Sequence, residues 1–369
     1  MAELLADRQV GAVRPASGTE DAITVLLGAL LMVGAACDGW AHNNIGGLET
    51  FFTPWHALLY AGFTGCAAWT FWLAYLRRDQ APRWWRDGWP AGYGLGALGA
   101  LSFGAGGAGD ALWHTIFGVE TSIDALLSPT HLLLELGSVL LLTSPLRSWW
   151  AAGPGGWRDA TGVAALALGT TSVSVFLVYA SAFHWLEPIV PYQGAQGTPG
   201  YTAAARGVSS YVIMTVLLVV PLLLVHRRRG TPGVATALVA AVALFVIAVY
   251  DFRSVQIVAA LAALGGAAAV DVLLLRIDRS RGPQARLRLP IAGALLPALV
   301  WSAHLLGLQM VAGIRWPPEL WSGTVVSTAL IGALLGGLAA RPESAAEKSA
   351  AKSAGKSVEK SAGSRPVTS

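Results

Sequence analysis

AITVLLGALLMVGAACDGWAHNNIGGLETFFTPWHALLYAGFTGCAAWTFWLAYLRR, residues 22–78, decides the fold. Two apolar runs, 22–42 and 55–76, flank a short polar joint, and the second stops at Arg77 and Arg78. Each is long enough to cross the hydrocarbon core as a helix, which takes about 20 apolar residues. The rhythm continues at 91–114, 129–145, 161–184, 206–226, 233–251, 253–276, 290–311 and 319–340. Composition agrees: 54% of the 369 residues are hydrophobic and 12% charged, against roughly 25% charged in soluble domains. The mean hydropathy is +0.55. These values exclude a soluble enzyme, a secreted disulfide scaffold and a nucleic-acid binder. Open sheets cannot cross lipid with unpaired backbone groups, and the runs are too long and uniformly apolar for barrel strands. The expected fold is all-α, a polytopic transmembrane helical bundle of about ten spans.

The arginines set the expected orientation. Seventeen fall on one side before the tail, from Arg8 and Arg14 through Arg77, Arg78, Arg147, Arg158 and the Arg227–Arg229 cluster to Arg341. Only Arg206, Arg253 and Arg315 fall on the other. By the positive-inside rule both termini are cytoplasmic, in a multi-pass protein of the cell (inner or plasma) membrane. The first run is too long for a signal-peptide core, and its flank mixes Arg with Glu20 and Asp21, so a retained span is expected. Three regions follow: a cytoplasmic segment 1–21, the membrane domain 22–340, and a tail 341–369. The tail repeats EKSA-AKSA-GKSV-EKSA from Glu347, holds all four lysines, and lacks the apolar residues needed to offset its ordering entropy, so disorder is expected there.

Two hairpin joints match each other. DGWAHNNIGGLETFFTPWHALLYAG (38–62) and DALWHTIFGVETSIDALLSPTHLLLELG (110–137) share Asp-x3-His, an acid four residues before a Ser/Thr-Pro-x-His, then Leu-Leu and Gly. Asp38 pairs with Asp110, His42 with His114, Glu49 with Asp124, Pro54 with Pro129 and His56 with His131. Fainter echoes are His184 before Tyr201, and His304 before Pro317, Pro318 and Glu319. The expected architecture is one of parallel helical-hairpin repeats at about 22–76, 91–145, 161–226 and 290–340, with a divergent hairpin at 233–276. Six of the seven histidines then fall in the outer half, and up to six imidazoles could converge on one layer.

Asp-x3-His on a helix puts both side chains on one face, about one turn apart. Such a pair offers two metal ligands, or a carboxylate that orients an imidazole. A further His just inside the next helix, after a proline suited to the first turn, completes a three-ligand set across the joint. The candidate ligands are Asp38, His42, His56, Asp110, His114 and His131. Glu49, Asp124, Glu135, His184, His304 and Glu319 are candidates for additional or outer ligands. Imidazole suits copper, zinc, iron or nickel, whereas magnesium and calcium want more oxygen. Two other readings stay open at this point: hydrogen-bonded structural packing, and a proton or ion path running inward through Glu135. Glu120, Glu187 and Asp251 read as solvated loop acids, Asp271 as a partner for an inner arginine, and Cys37 and Cys66 as small core residues rather than a disulfide.

At the Asp-x3-His…His frame, Asp38, His42 and His56 resemble the C subunit of copper membrane monooxygenases, the methane and ammonia monooxygenase group. Asp110, His114 and His131 follow the frame with a longer spacing. The strings GDALWHTIFGVE and LLSPTHLLLELG also look like an uncharacterised family of actinobacterial multi-pass membrane proteins. The first resemblance implies copper, with zinc or iron as alternatives, and oxidation of a small lipophilic substrate by an oxidoreductase on the extracytoplasmic side. An oxidase of that kind would need an electron-donor partner or quinol; the lipid bilayer and a homo-oligomer are separate partner expectations. The alternative function is a permease or metal-ion handling protein that captures an ion with the same cluster.

Overall fold

The computed structural model describes residues 14–45, 53–118, 123–153, 155–228, 230–279 and 284–340. Glu49, Glu120, the tail 341–369, residues 1–13 and the arginines Arg229, Arg281 and Arg341 lie outside the described residues, as does the side chain of Asp124.

Among the described residues there is no strand, and each of the ten apolar blocks is helical. The helices are α1 (Gly18–Asn44), α2 (Pro54–Tyr75), α3 (Tyr93–Phe117), α4 (Pro129–Leu142), α5 (Arg158–Phe176), α6 (Pro199–His226), α7 (Val234–Val249), α8 (Ser254–Arg279), α9 (Gln284–Val311) and α10 (Pro318–Ala339). Seven are long and apolar enough to cross a membrane: α1, α2, α5, α6 and α10, with the Ser254–Ile277 part of α8 and the Leu287–Val311 part of α9. α7 is apolar but shorter. α3 is long but diluted by glycine, and α4 is cut to 14 residues because the chain breaks at Thr143 and restarts as Ser144–Ala152.

Local sequence explains where the helices start. Ser17 and Glu20 form a reciprocal capping box on α1, satisfying two otherwise orphaned backbone groups. α2, α4 and α6 each open with a Ser or Thr N-cap followed by Pro, at Thr53-Pro54, Ser128-Pro129 and Thr198-Pro199. Each hydroxyl accepts from the backbone N–H three residues on, that of His56, His131 or Tyr201. The Ser/Thr-Pro-x-His string is thus a helix-start signal that seats the imidazole in the first turn.

The closest helix pairs are α8 with α9, α3 with α4, α9 with α10, and α1 with α2. Glycines permit two of these approaches. A Cβ on Gly34 would meet the Leu59 backbone at 2.5 Å, and one on Gly62 would meet the Leu31 backbone at 2.6 Å. In the next hairpin a Cβ on Gly106 would meet the Leu134 backbone at 3.0 Å, and one on Gly137 that of Phe103 at 2.6 Å. Gly62 against Leu31 corresponds to Gly137 against Phe103, and Gly34 against Leu59 to Gly106 against Leu134, in the same frame that pairs Asp38 with Asp110. The small-residue surface lets two backbones pack without intervening side chains.

The later hairpins differ from expectation. α5 ends at Phe176, so His184 lies in an irregular segment rather than at a helix end. α5 packs against α7, α1 and α4 far more than against α6, because its small face of Gly162, Ala165, Gly169 and Ser172 is buried in the middle of the bundle. The strongest contact of all, α8 with α9, joins helices assigned to different hairpins. The main core gathers Leu, Val and Ala of α6 to α9 around Tyr211, Met214 and Trp301.

The end of the bundle that holds the α1 N-terminus is pinned by ion pairs. Glu20 pairs with Arg77, and Asp21 is buried between Tyr93, Ser148 and Arg158. Asp271 does not pair with an arginine among the described residues. It caps α7 instead, accepting from the N–H groups of Ala235 and Thr236 and from the Thr236 hydroxyl.

Candidate metal centre

Asp38 and His42 lie one turn apart near the end of α1, and the N-cap of α2 brings His56 across to them. His42 Nε2 lies 3.8 Å from Asp38 Oδ2, and His56 Nδ1 lies 3.1 Å from Asp38 Oδ1. One ligand atom from each of the three lies within 4.8 Å of the others, a spacing that can hold a metal ion. The Thr53 hydroxyl stands 3.0 Å from His56 Nδ1, so the residue that caps the helix also steers the ring. Asp38 Oδ1 is buried, and apart from the His56 ring nitrogen 3.1 Å away it has no hydrogen-bond partner among the described residues. A carboxylate oxygen in that position is costly unless something satisfies it, and a cation would do so.

The second hairpin repeats the pattern atom for atom. His114 Nε2 is 3.3 Å from Asp110 Oδ2, His131 Nδ1 is 3.4 Å from Asp110 Oδ1, and the Ser128 hydroxyl is 2.7 Å from His131 Nδ1. The difference lies at one residue. Thr130, where the first hairpin has Trp55, donates its hydroxyl to Asp110 Oδ1 at 2.9 Å. That oxygen is therefore satisfied within the protein, and the second set is the better suited to a structural or supporting role.

α1 and α3, the two helices that carry Asp-x3-His, make no extended contact with each other. The hairpins meet instead through α2 against α3 and, to a lesser degree, α1 against α4. The two sets still lie within electrostatic reach: Asp110 and His114 act on Asp38, and His114 and His131 act on His42 and His56. Tyr60, one turn inward from His56, stacks on its ring and contacts Phe103 of α3. A groove of about 790 Å³ opens between α2 and α3 beside these residues, lined by His56, Tyr60, Phe63, Gly104, Gly107 and Ala108 among others.

The remaining candidates are not brought to this place. His304 is buried in the other half of the bundle, where its Nδ1 meets the Tyr211 hydroxyl at 2.9 Å between Trp301 and Phe183. His184 stacks on Tyr250 with ring centroids 3.6 Å apart. Glu319 is exposed in the first turn of α10. Glu135 accepts from Ser172 at 2.9 Å, and its other oxygen is buried without a hydrogen-bond partner among the described residues. Six imidazoles do not converge; four do. Glu187 is not a solvated loop acid either, being buried and paired with Arg206. Both cysteines are free.

Thr53, Ser128 and Thr130 escaped the sequence reading as site residues, although Ser/Thr-Pro marks the first two. Tyr60 carried a signal in its position four residues after His56. No family model matches the chain, and neither curated proteins nor solved structures give a match.

Proposed function

We propose that this chain is an integral membrane metalloprotein whose Asp38/His42/His56 set holds a metal on the extracytoplasmic side, copper foremost. The single observation that carries the reading is the convergence of the three ligand atoms within 4.8 Å across two helices. The buried Asp38 oxygen, which faces the His56 imidazole but receives no other hydrogen bond among the described residues, supports it. Copper is favoured because divalent copper binds mixed nitrogen and oxygen donors most tightly of the common metals, and because the frame resembles a copper-binding one. Zinc or iron would fit the same donors. The ten-span topology with both termini cytoplasmic, and descent of the first two hairpins from one unit, belong to this proposal. The arginine bias supports the topology, and the matched glycine contacts support the duplication.

Bound copper would supply one-electron redox chemistry. The protein would orient both imidazoles, through the Thr53 hydroxyl and the Asp38 carboxylate, and keep the approach largely apolar. The groove beside His56 and Tyr60 fits a small lipophilic substrate entering from the bilayer. An oxidoreductase of this kind needs an electron-donor partner or quinol. The unsatisfied oxygen of Glu135 favours a second reading, in which the cluster captures an ion that then moves inward.

Elemental analysis of detergent-purified protein tests the proposal, beside a His42→Ala/His56→Ala variant. One equivalent of copper that disappears in the variant supports it. Copper retained by the variant, or no metal after loading with copper, zinc and iron, refutes it.

A further inference from the structure

A second pocket, of about 630 Å³, lies between the segment after α5 and the starts of α6 and α8, lined by His184, Trp185, Glu187, Gly200, Arg206 and Arg253 among others. It is at the same end of the bundle as the metal centre: the turn beside it reaches α1 through Trp40 Nε1 and Asp251 Oδ1 at 3.4 Å. Two guanidinium groups serve the pocket. Arg206 is fixed from both sides, giving an Nε–H (2.8 Å) and an Nη2–H to Glu187 Oε1 and stacking on Trp185 at 3.9 Å from the ring centroid. This leaves other N–H groups of its planar fork uncommitted. Arg253 is exposed, and its side chain makes no hydrogen bond or ion pair among the described residues. Glu187 offsets one of the two charges, so the pocket keeps a net positive charge. Gly200, in the first turn of the 28-residue α6, adds the positive end of that helix.

The backbone just before Arg253 is strained. Asp251 and Phe252 just before it have φ of 69° and 49°, a conformation that side chains other than glycine rarely adopt and that clusters at functional sites. His184 stacks on Tyr250 at the base of this turn and leaves Nδ1 buried without a partner.

We infer that this pocket binds a phosphate oxyanion, gripped by Arg206, Arg253 and the start of α6, with the His184 imidazole as a further donor. Planar guanidinium groups and a helix N-terminus are the preferred partners of phosphate. The phosphate could belong to an anionic lipid headgroup at the bilayer interface or to a free ion. This binding does not depend on the metal centre.

The test uses full-length protein in two arms. Equilibrium dialysis measures radiolabelled inorganic phosphate in detergent. Native mass spectrometry measures phosphatidylglycerol retained after exchange from phosphatidylcholine. Arg253→Gln and Arg253→Glu alter an exposed side chain with no structural partner, so their melting temperatures should match the parent. Saturable binding in either arm, weakened about tenfold or more in Arg253→Gln, as expected for a lost charged hydrogen bond, and absent in Arg253→Glu, supports the inference. The responding arm identifies the source. No binding in both arms, or equal binding in parent and variants, overturns it. If the variants melt early, Arg253→Lys must retain binding in the responding arm, and its loss there counts against the inference.

Discussion

Replacing Gly62 by alanine tests whether helix approach builds the metal centre. The added Cβ would sit 2.6 Å from the Leu31 backbone, where ordinary contact begins at 3.4 Å. The obstacle is main chain rather than the end of a flexible side chain, so α2 must retreat from α1 by about 0.8 Å, the difference of those two distances. His56 rides on α2 and Asp38 on α1, and their contact is 3.1 Å. Metal–ligand distances tolerate only about 0.2 Å of error, so His56 falls out of reach. The predicted loss in copper affinity is about 10- to 100-fold, the range seen when ligand orientation is disturbed. The overpacking should cost about 1–3 kcal/mol in stability. Gly65→Ala is the control, since its Cβ meets only Leu27 Cδ2, at 3.1 Å. Copper competition against a chelator measures both variants in detergent. Parent-like affinity in Gly62→Ala would refute the reasoning.

Three further outcomes are expected. His304→Leu strands the buried Tyr211 hydroxyl and should cost about 1–3 kcal/mol while leaving metal content unchanged. Thermal melting paired with elemental analysis checks both parts. Asp271→Ala uncaps α7 and should destabilise by about 0.5–2 kcal/mol, seen as a lower denaturation midpoint at unchanged metal content. Burial, with Arg253 and Arg206 alongside, pushes His184 down from 6.5 to about 4. The unfolded chain therefore takes up the proton first as pH falls, and this contribution to stability declines from about 6.5 towards 4. Melting curves across that range should flatten in His184→Gln relative to the parent.

The apolar blocks were legible because crossing lipid demands length and uniformity, and all ten proved helical. Asp38, His42 and His56 were legible for a different reason. Asp-x3-His is a local helical relation, and Thr-Pro-x-His marks the next helix start, so one short joint contains all three. Nothing local says which face of a helix meets which neighbour. His304 echoes His42 and His114 in the chain, yet it faces Tyr211, 93 residues away. Glu187 looked solvated because its partner Arg206 lies beyond an irregular segment, and Asp271 caps a helix 35 residues upstream. The difference between the two sets rests on Thr130 against Trp55, which matters only once the Asp110 oxygen is seen to be within its reach.

The most direct test of the central claim is copper stoichiometry in protein loaded and then desalted, for the parent, His56→Ala and His131→Ala. One equivalent is expected in the parent, with loss in His56→Ala and retention in His131→Ala, because the Asp38 oxygen, unlike that of Asp110, receives no hydroxyl hydrogen bond among the described residues. Full copper in His56→Ala, or none in the parent, would contradict it.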